Sequence, residues 1–353
     1  MDKFSAVAQM LRNFSGWTNV TADDLRTLFC TELGAETVLE EGILTKNCRR
    51  VAIPPQSVLL VCAGTLPQPS WQALARLALV EAKNVFIKLP NTSCAEQIVE
   101  AAQWLVQRGL FSSLEASQDL PDERIHEFDV VIVYGNNDTI AHFRQRVSCN
   151  AVFIGYGEKI SIAIVNRRDV NMQTATNLVK DVLANGHRGC LAPHLCFVCA
   201  GDSKLFAQYC ARAFSEQSLD NFLNPSHDIF AAACVYTTRQ TETALGSEIF
   251  LPEDGSLVWT VVASRTKELT HIPLHNVILI KYCSCCEELI ELLKPWRGSI
   301  STVGLSTHQS PIQGLGATRF CSVGQMQQPS LFWTQDGFCS LQKLVTWISY
   351  EMS

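Results

Sequence analysis

The chain has 353 residues, enough for two domains of ordinary size. Hydrophobic residues make up 47% and charged residues 18%, which supplies a large core and excludes a globally disordered chain. A net charge of -6, with no run of Lys or Arg, excludes a basic nucleic-acid footprint and a membrane-surface patch, and no apolar run reaches the roughly 18 residues of a membrane-spanning helix.

The elements follow in chain order. Met1 to about Glu41 reads as short helices, with Phe4, Val7, Ala8 and Leu11 at helical spacing and Thr21 to Asp24 as a cap before Leu25 and Leu28. The first clear strand is Ser57 to Cys62. It runs through the turn Ala63-Gly64-Thr65-Leu66-Pro67 into a helix from about Ser70 to Glu81. A strand over Asn84 to Lys88, a helix over about Cys94 to Arg108, a strand over Val130 to Tyr134 and the turn Gly135 to Thr139 follow. Ala151 to Ile154 is a further strand candidate. Continuous β-branched runs alternating with helical patterns predict a parallel sheet with helical crossovers, whose ligands bind at the carboxyl ends of the strands. Gly64, Thr65, Lys88, Gly135, Asn136 and Thr139 are the candidates there.

The second half opens near Ser161 to Val165, with a boundary drawn near residue 166. A helix over Met172 to Leu183 ends at Asn185-Gly186, and His187 to His194 forms a loop before a strand from Leu195. Strands over Val258 to Val262 and Asn276 to Ile280 and a closing helix over Leu341 to Tyr350 complete the reading. Fifteen cysteines, an odd number, include several in apolar runs such as Leu195 to Cys199, where a thiol serves as a small hydrophobe. Met1 to Trp17 lacks a signal-type apolar stretch, so the expected compartment is a reducing cytoplasm.

Cys190 is the sharpest candidate for chemistry. It lies in a helix-to-strand loop flanked by His187, Arg188 and His194, and positive charge beside a thiol favours the thiolate. The alternative is a loop cysteine with no task. Lys88 is either a charge aimed at the ligand crevice or a solvated strand end. Gly135 to Thr139 is either a phosphate-facing turn or a plain helix cap. Cys283, Cys285 and Cys286 invite a metal reading but lack paired CxxC spacing, and a buried helix start competes with it, so no metal site is assigned.

The string Gly189-Cys190-Leu191-Ala192-Pro193-His194 resembles the nucleophile motif of the bacterial luciferase-operon fatty-acyl-CoA reductases, a branch of the aldehyde dehydrogenase superfamily. The likeness runs from about Val58 to Tyr350 and takes in, in order, Ala63-Gly64 with Pro67, Ile87-Lys88, Tyr134-Gly135 with Thr139, Gly157 with Ser161, and Trp259-Thr260-Val261. Further on it includes Thr302-Val303-Gly304, Arg319, Gly324-Gln325-Met326, Pro329 and Trp333 to Gly337.

The resemblance implies an α/β, aldehyde-dehydrogenase-like fold. Residues 1–165 would form a parallel-sheet nicotinamide-cofactor domain and 166–330 an α/β catalytic domain. Residues 331–353 would pack back on the cofactor domain or a partner subunit. It implies reduction of a fatty acyl-CoA or other acyl thioester to the aldehyde through an acyl-Cys190 intermediate. Lys88 would approach the adenosine ribose of the cofactor, with Gly135, Asn136 and Thr139 near its phosphates. No carboxylate follows Lys88 in Leu89-Pro90-Asn91, which permits NADPH, with NADH as the other nicotinamide. The resemblance further implies an acyl-protein donor, an acyl-protein synthetase partner and a homo-oligomer.

The glutamate context of hydrolytic aldehyde dehydrogenases is missing around Gly155 to Ser161, as suits a reductase. Thr65 stands where the family has the asparagine that helps hold the oxyanion, and Gly186-His187 replaces Asp-Gln. Both departures touch activity more than fold. They keep open a catalytically impaired relative that binds an acyl thioester or a partner protein.

Overall fold

The computed structural model describes residues 1–217, 228–269, 271–307 and 312–351. Two compact units emerge, Met1–Glu158 with Leu331–Ser353, and Lys159–Ser330.

In the first unit, Asp2 caps helix α1 (Lys3–Phe14) by accepting from Ser5 N at 2.8 Å. A full capping box of Thr21 and Asp24 opens α2 (Ala22–Leu33). Strands β1 (Ile43–Thr45) and β2 (Cys48–Ile53) form a hairpin that the sequence patterns did not reveal. Then come β3 (Ser57–Val61), α3 (Gln68–Leu79), β4 (Asn84–Lys88), α4 (Cys94–Val106), β5 (Ser113–Ser117), β6 (Val130–Tyr134), α5 (Asn137–Arg144) and β7 (Val152–Tyr156). The five strands are all parallel in the order β5-β4-β3-β6-β7. Side chains alternate across the sheet as strand geometry requires. Val58, Leu60, Val130, Ile132 and Tyr134 enter the larger core with α1, α3 and α4. Leu59, Val61, Val131 and Val133 enter the smaller one with Ile125, Phe128 and Phe143.

The second unit runs through β8 (Ile160–Asn166), α6 (Met172–Leu183), β9 (Pro193–Cys199), α7 (Ser203–Ser215), α8 (Ile229–Ala244), β10 (Glu248–Phe250) and β11 (Thr260–Ala263). It continues with β12 (Val277–Cys283), α9 (Cys286–Leu293), β13 (Ile300–Leu305) and β14 (Arg319–Ser322). The sheet order is β10-β11-β12-β9-β8-β13-β14, with only β10 antiparallel. Again the strands split their side chains. Cys196, Val198, Ile278 and Ile280 face one core, and Leu195, Phe197, Cys199, Leu279 and Cys283 face the other.

The closing helix expected over Leu341 to Tyr350 is not formed. A short turn of helix over Gln342–Leu344 leads into strand β15 (Thr346–Glu351), which pairs antiparallel with β2 in the first unit. The run Val345-Thr346-Trp347-Ile348 is β-branched and aromatic, and the exposed edge of β2 offers it hydrogen-bond partners. Leu341, Leu344 and Val345 join the larger core of that unit. Among the described residues no helix is long and apolar enough to cross a membrane.

Candidate active site

The second unit carries Cys190. Helix α6 closes at Ala184, and Asn185, Gly186 and His187 then take left-handed backbone with φ of 54°, 64° and 59°. This reversal turns the His187 side chain into the interior, where it is 1% exposed. Asn276 N donates to its Nδ1 at 3.0 Å, so the proton sits on Nε2, and Nε2–H donates to Pro193 O at 3.1 Å. The His194 ring lies 5.0 Å away, is also buried, and bonds the Ser161 backbone. Burial pushes His187 down to about 3 and His194 down to about 4. These imidazoles are therefore neutral at neutral pH. The sequence reading counted them as positive charge beside the thiol, and burial corrects that.

Cys190 itself is exposed, in the turn before β9. Two bonds fix the turn. Ala192 N donates to Gly189 O at 3.0 Å, and the Ser161 hydroxyl donates to Cys190 O at 2.6 Å. Ser161 is fully buried, and its oxygen accepts in turn from Thr302 N at 3.2 Å.

A charge also bears on the thiol from Arg319, which is in register with Thr302 on the next strand. Burial lowers the guanidinium from its usual range, and Cys321, Asp181 and Cys190 act on it in the opposite sense. A Cys190 thiolate and this cation thus attract one another. Arg319 Nη1 reaches Met326 O at 2.6 Å and Thr302 Oγ1 at 3.4 Å, and Nη2 reaches Gln325 O at 3.0 Å and Gln328 O at 3.2 Å. Asp181, 2% exposed, grips the same loop by accepting from Gly324 N at 2.5 Å and Met326 N at 3.0 Å. Desolvation raises the Asp181 carboxyl to about 6 despite these bonds. Arg319 was one residue of the resemblance with no role attached. Its place opposite Thr302 depends on strand pairing, which no local pattern encodes.

The other candidates belong to the first unit. The order β5-β4-β3-β6-β7 reverses direction between β3 and β6, and at such a switch point the loops leaving the strand ends diverge to open a crevice. Gly64 and Thr65 follow β3, and both are exposed. Gly135 and Asn136 follow β6. Lys88 ends β4 half-buried, with its Nζ donating to Gln118 O at 2.6 Å. Asn136 caps α5, its Oδ1 accepting from Thr139 N at 2.8 Å and Thr139 Oγ1 at 2.7 Å. Gly135 packs on the same threonine, since a Cβ there would lie 2.8 Å from Thr139 Cβ. The donors at this edge are the Lys88 ammonium, the Thr65 and Thr139 hydroxyls, the Asn136 amide and backbone N–H groups, with no carboxylate from Leu89 to Asn91. That set suits a phosphorylated ribose better than a cation. The structure thus gathers Thr65, Lys88, Gly135, Asn136 and Thr139 along one sheet edge of one unit and places Cys190 in the other. Among the described residues no group of three or more His, Cys, Asp or Glu is arranged to hold a metal.

The acyl-CoA reductase (LuxC) family model matches residues 20–347. The chain belongs to the acyl-CoA reductase (LuxC) family. Similar proteins include the long-chain acyl-protein thioester reductase of Photobacterium phosphoreum, 19% identical over 91% of this chain and 68% of that protein. The long-chain acyl-protein thioester reductase of Photorhabdus laumondii is 19% identical over 98% of this chain and 74% of that protein. Among solved structures, the NADP-dependent glyceraldehyde-3-phosphate dehydrogenase of Bacillus halodurans matches with a TM-score of 0.72 at 13% identity, covering 99% of this chain and 83% of that one. Lactaldehyde dehydrogenase of Escherichia coli matches with a TM-score of 0.70 at 12% identity, covering 99% and 85%. The fold is aldehyde-dehydrogenase-like, as expected from the resemblance.

Proposed function

We propose that this acyl-CoA reductase family member reduces a long-chain acyl thioester to the aldehyde through an acyl-enzyme on Cys190. The observation that carries the reading is an exposed cysteine, in a turn fixed by Ser161 and in a string that resembles the family's nucleophile motif, in a chain matched by this family from residue 20 to 347. The Cys190 thiolate attacks the acyl carbonyl carbon, and the carrier thiol leaves with a proton. Arg319 favours the thiolate, and the Thr65 hydroxyl donates to the carbonyl oxygen as negative charge builds on it. A reduced nicotinamide, when bound, supplies the hydride. The resulting thiohemiacetal on Cys190 then breaks its C–S bond, freeing the aldehyde and restoring the cysteine.

Lys88, Gly135, Asn136 and Thr139 hold the nicotinamide nucleotide, and NADPH is the preferred form. Lys88 offers a 2′-phosphate a positive charge, and no carboxylate beside it repels that group. The acyl donor is an acyl-protein or acyl-CoA. A synthetase partner that loads it, a homo-oligomeric state and a cytoplasmic setting rest on the family reading.

Purified protein given a long-chain acyl-CoA and NADPH is expected to consume the cofactor and release aldehyde. Without cofactor, a labelled acyl group is expected on Cys190 as a thioester that Cys190→Ser does not retain. Undiminished thioester labelling in that variant, or label mapped to another cysteine, would remove Cys190 from the mechanism.

A further inference from the structure

Three thiols of the second unit stand apart from the proposed site. Cys199 closes β9, Cys283 closes β12, and the two are partners in the parallel ladder. Their Sγ atoms lie 3.0 Å apart. Neighbouring strands run about 4.8 Å apart, and a disulfide spans Cα separations of about 4.4–6.8 Å, so this backbone already holds the pair at bridging separation. Cys286, the first residue of α9, places a third thiol near Cys199.

The pair is polarised. The two thiols share a hydrogen bond in which either sulfur can donate. That contact holds Cys199 below the usual thiol range, and the same contact together with burial pushes Cys283 above it. Cys199 is 7% exposed and Cys283 fully buried, so a small oxidant meets Cys199 first and Cys283 waits behind it. A reactive thiol backed by a buried second thiol is the arrangement that traps a sulfenic acid.

We propose that Cys199 and Cys283 form a site of reversible oxidation, closing a disulfide when the protein meets a peroxide. The Cys199 thiolate attacks one peroxide oxygen, the O–O bond breaks, and hydroxide leaves to give a sulfenic acid. The Cys283 sulfur then attacks the Cys199 sulfur, the S–O bond breaks, and water leaves. In sum, two thiols and one hydrogen peroxide give one disulfide and two waters. A small dithiol reverses the step by exchange. The bridge links β9 to β12 at the end of β9 opposite Cys190 and consumes no part of the proposed nucleophile, so the inference stands whether or not Cys190 acts as assigned.

Full-length reduced protein, treated with an excess of hydrogen peroxide, alkylated and digested without reductant, is the test. Mass spectrometry is expected to find one peptide pair joined through Cys199 and Cys283, two hydrogens lighter than the separate peptides and released by dithiothreitol. Cys199→Ser should lose the bridge. Cys283→Ala combined with Cys286→Ala, which leaves the sulfenic acid without a neighbouring thiol, should gain a dimedone adduct at Cys199. Recovery of Cys199 and Cys283 from the wild-type protein as separate alkylated thiols overturns the proposal. So does a bridge from Cys199 to Cys286, or over-oxidation of Cys199 without any bridge.

Discussion

Arg319 does two things at once at 8% exposure. It holds the 325–328 loop by three carbonyls, and its charge reaches Cys190. The two tasks separate by substitution. Arg319→Lys keeps a cation but loses the planar fork, so we expect a lower melting temperature with Cys190 acylation within a few-fold of wild type. Arg319→Met loses both, and acylation per folded molecule should fall several-fold. Cofactor-free labelling with an acyl thioester reads the rate, and a wild-type rate in Arg319→Met would leave Arg319 as packing alone. Thr65 sets a second test. An asparagine amide is a longer and better-aimed donor, worth about 2.7–4 kcal/mol when it meets an oxyanion. Thr65→Asn should therefore raise kcat/KM, and Thr65→Val should lower it. Unchanged rates with altered melting temperatures in both would mean that Thr65 only shapes the turn. At this scale the sequence singles out Cys190 as a candidate, because a cysteine between Gly189 and Pro193 stands out locally. It misled over His187 and His194, because charge on an imidazole depends on burial and neighbouring residues say little about that.

The turn from β6 into α5 shows what an element can encode in few residues. Gly135 lies where a side chain would strike Thr139, and Asn136 closes the helix through the same threonine. Gly135→Ala must push α5 away from β6 or twist the turn. It should raise the apparent KM for the nicotinamide cofactor several-fold while leaving cofactor-free acylation of Cys190 intact. An equal fall in acylation would mean that the turn serves stability and no ligand. Strands β3, β4, β6 and β9 were readable because buried parallel strands appear as continuous apolar runs. The hairpin of β1 and β2 was not, since Ile43-Leu44-Thr45 and the Arg49-Arg50 pair are too short and too polar to carry that signal. For β15 the apolar residues fit either period over so few positions, and an antiparallel edge 300 residues away in sequence decided the outcome.

At the scale of the molecule, the second unit builds its candidate nucleophile over a buried polar layer, and that layer ties its stability to pH. His187 and His194 fold as neutral rings with values near 3 and 4, against about 6.5 in an unfolded chain. Their folded values are depressed, so their contribution is fully present above pH 6.5 and drains away as pH falls, because the unfolded chain takes up protons that the folded one refuses. Asp181 acts in the opposite sense. Its folded value of about 6 lies above the unfolded 3.8, so its burial is most favourable below pH 3.8 and costs increasingly as pH rises through 6. Between pH 7 and pH 5 each histidine loses about 2 kcal/mol and Asp181 returns about 1.3 kcal/mol, so the histidines win and the net loss is about 2–3 kcal/mol. Hydrogen exchange at the β8, β9 and β12 amides, corrected for intrinsic rates, measures this as a fall in opening free energy. Asp181→Asn removes the opposing group while leaving an amide oxygen to face Gly324 N and Met326 N, so the fall should steepen to about 4 kcal/mol. A profile flat from pH 7 to pH 5 in the wild-type protein would mean that the imidazoles are already protonated or solvated. The histidines would then regain the role of charge beside Cys190 that burial takes from them here.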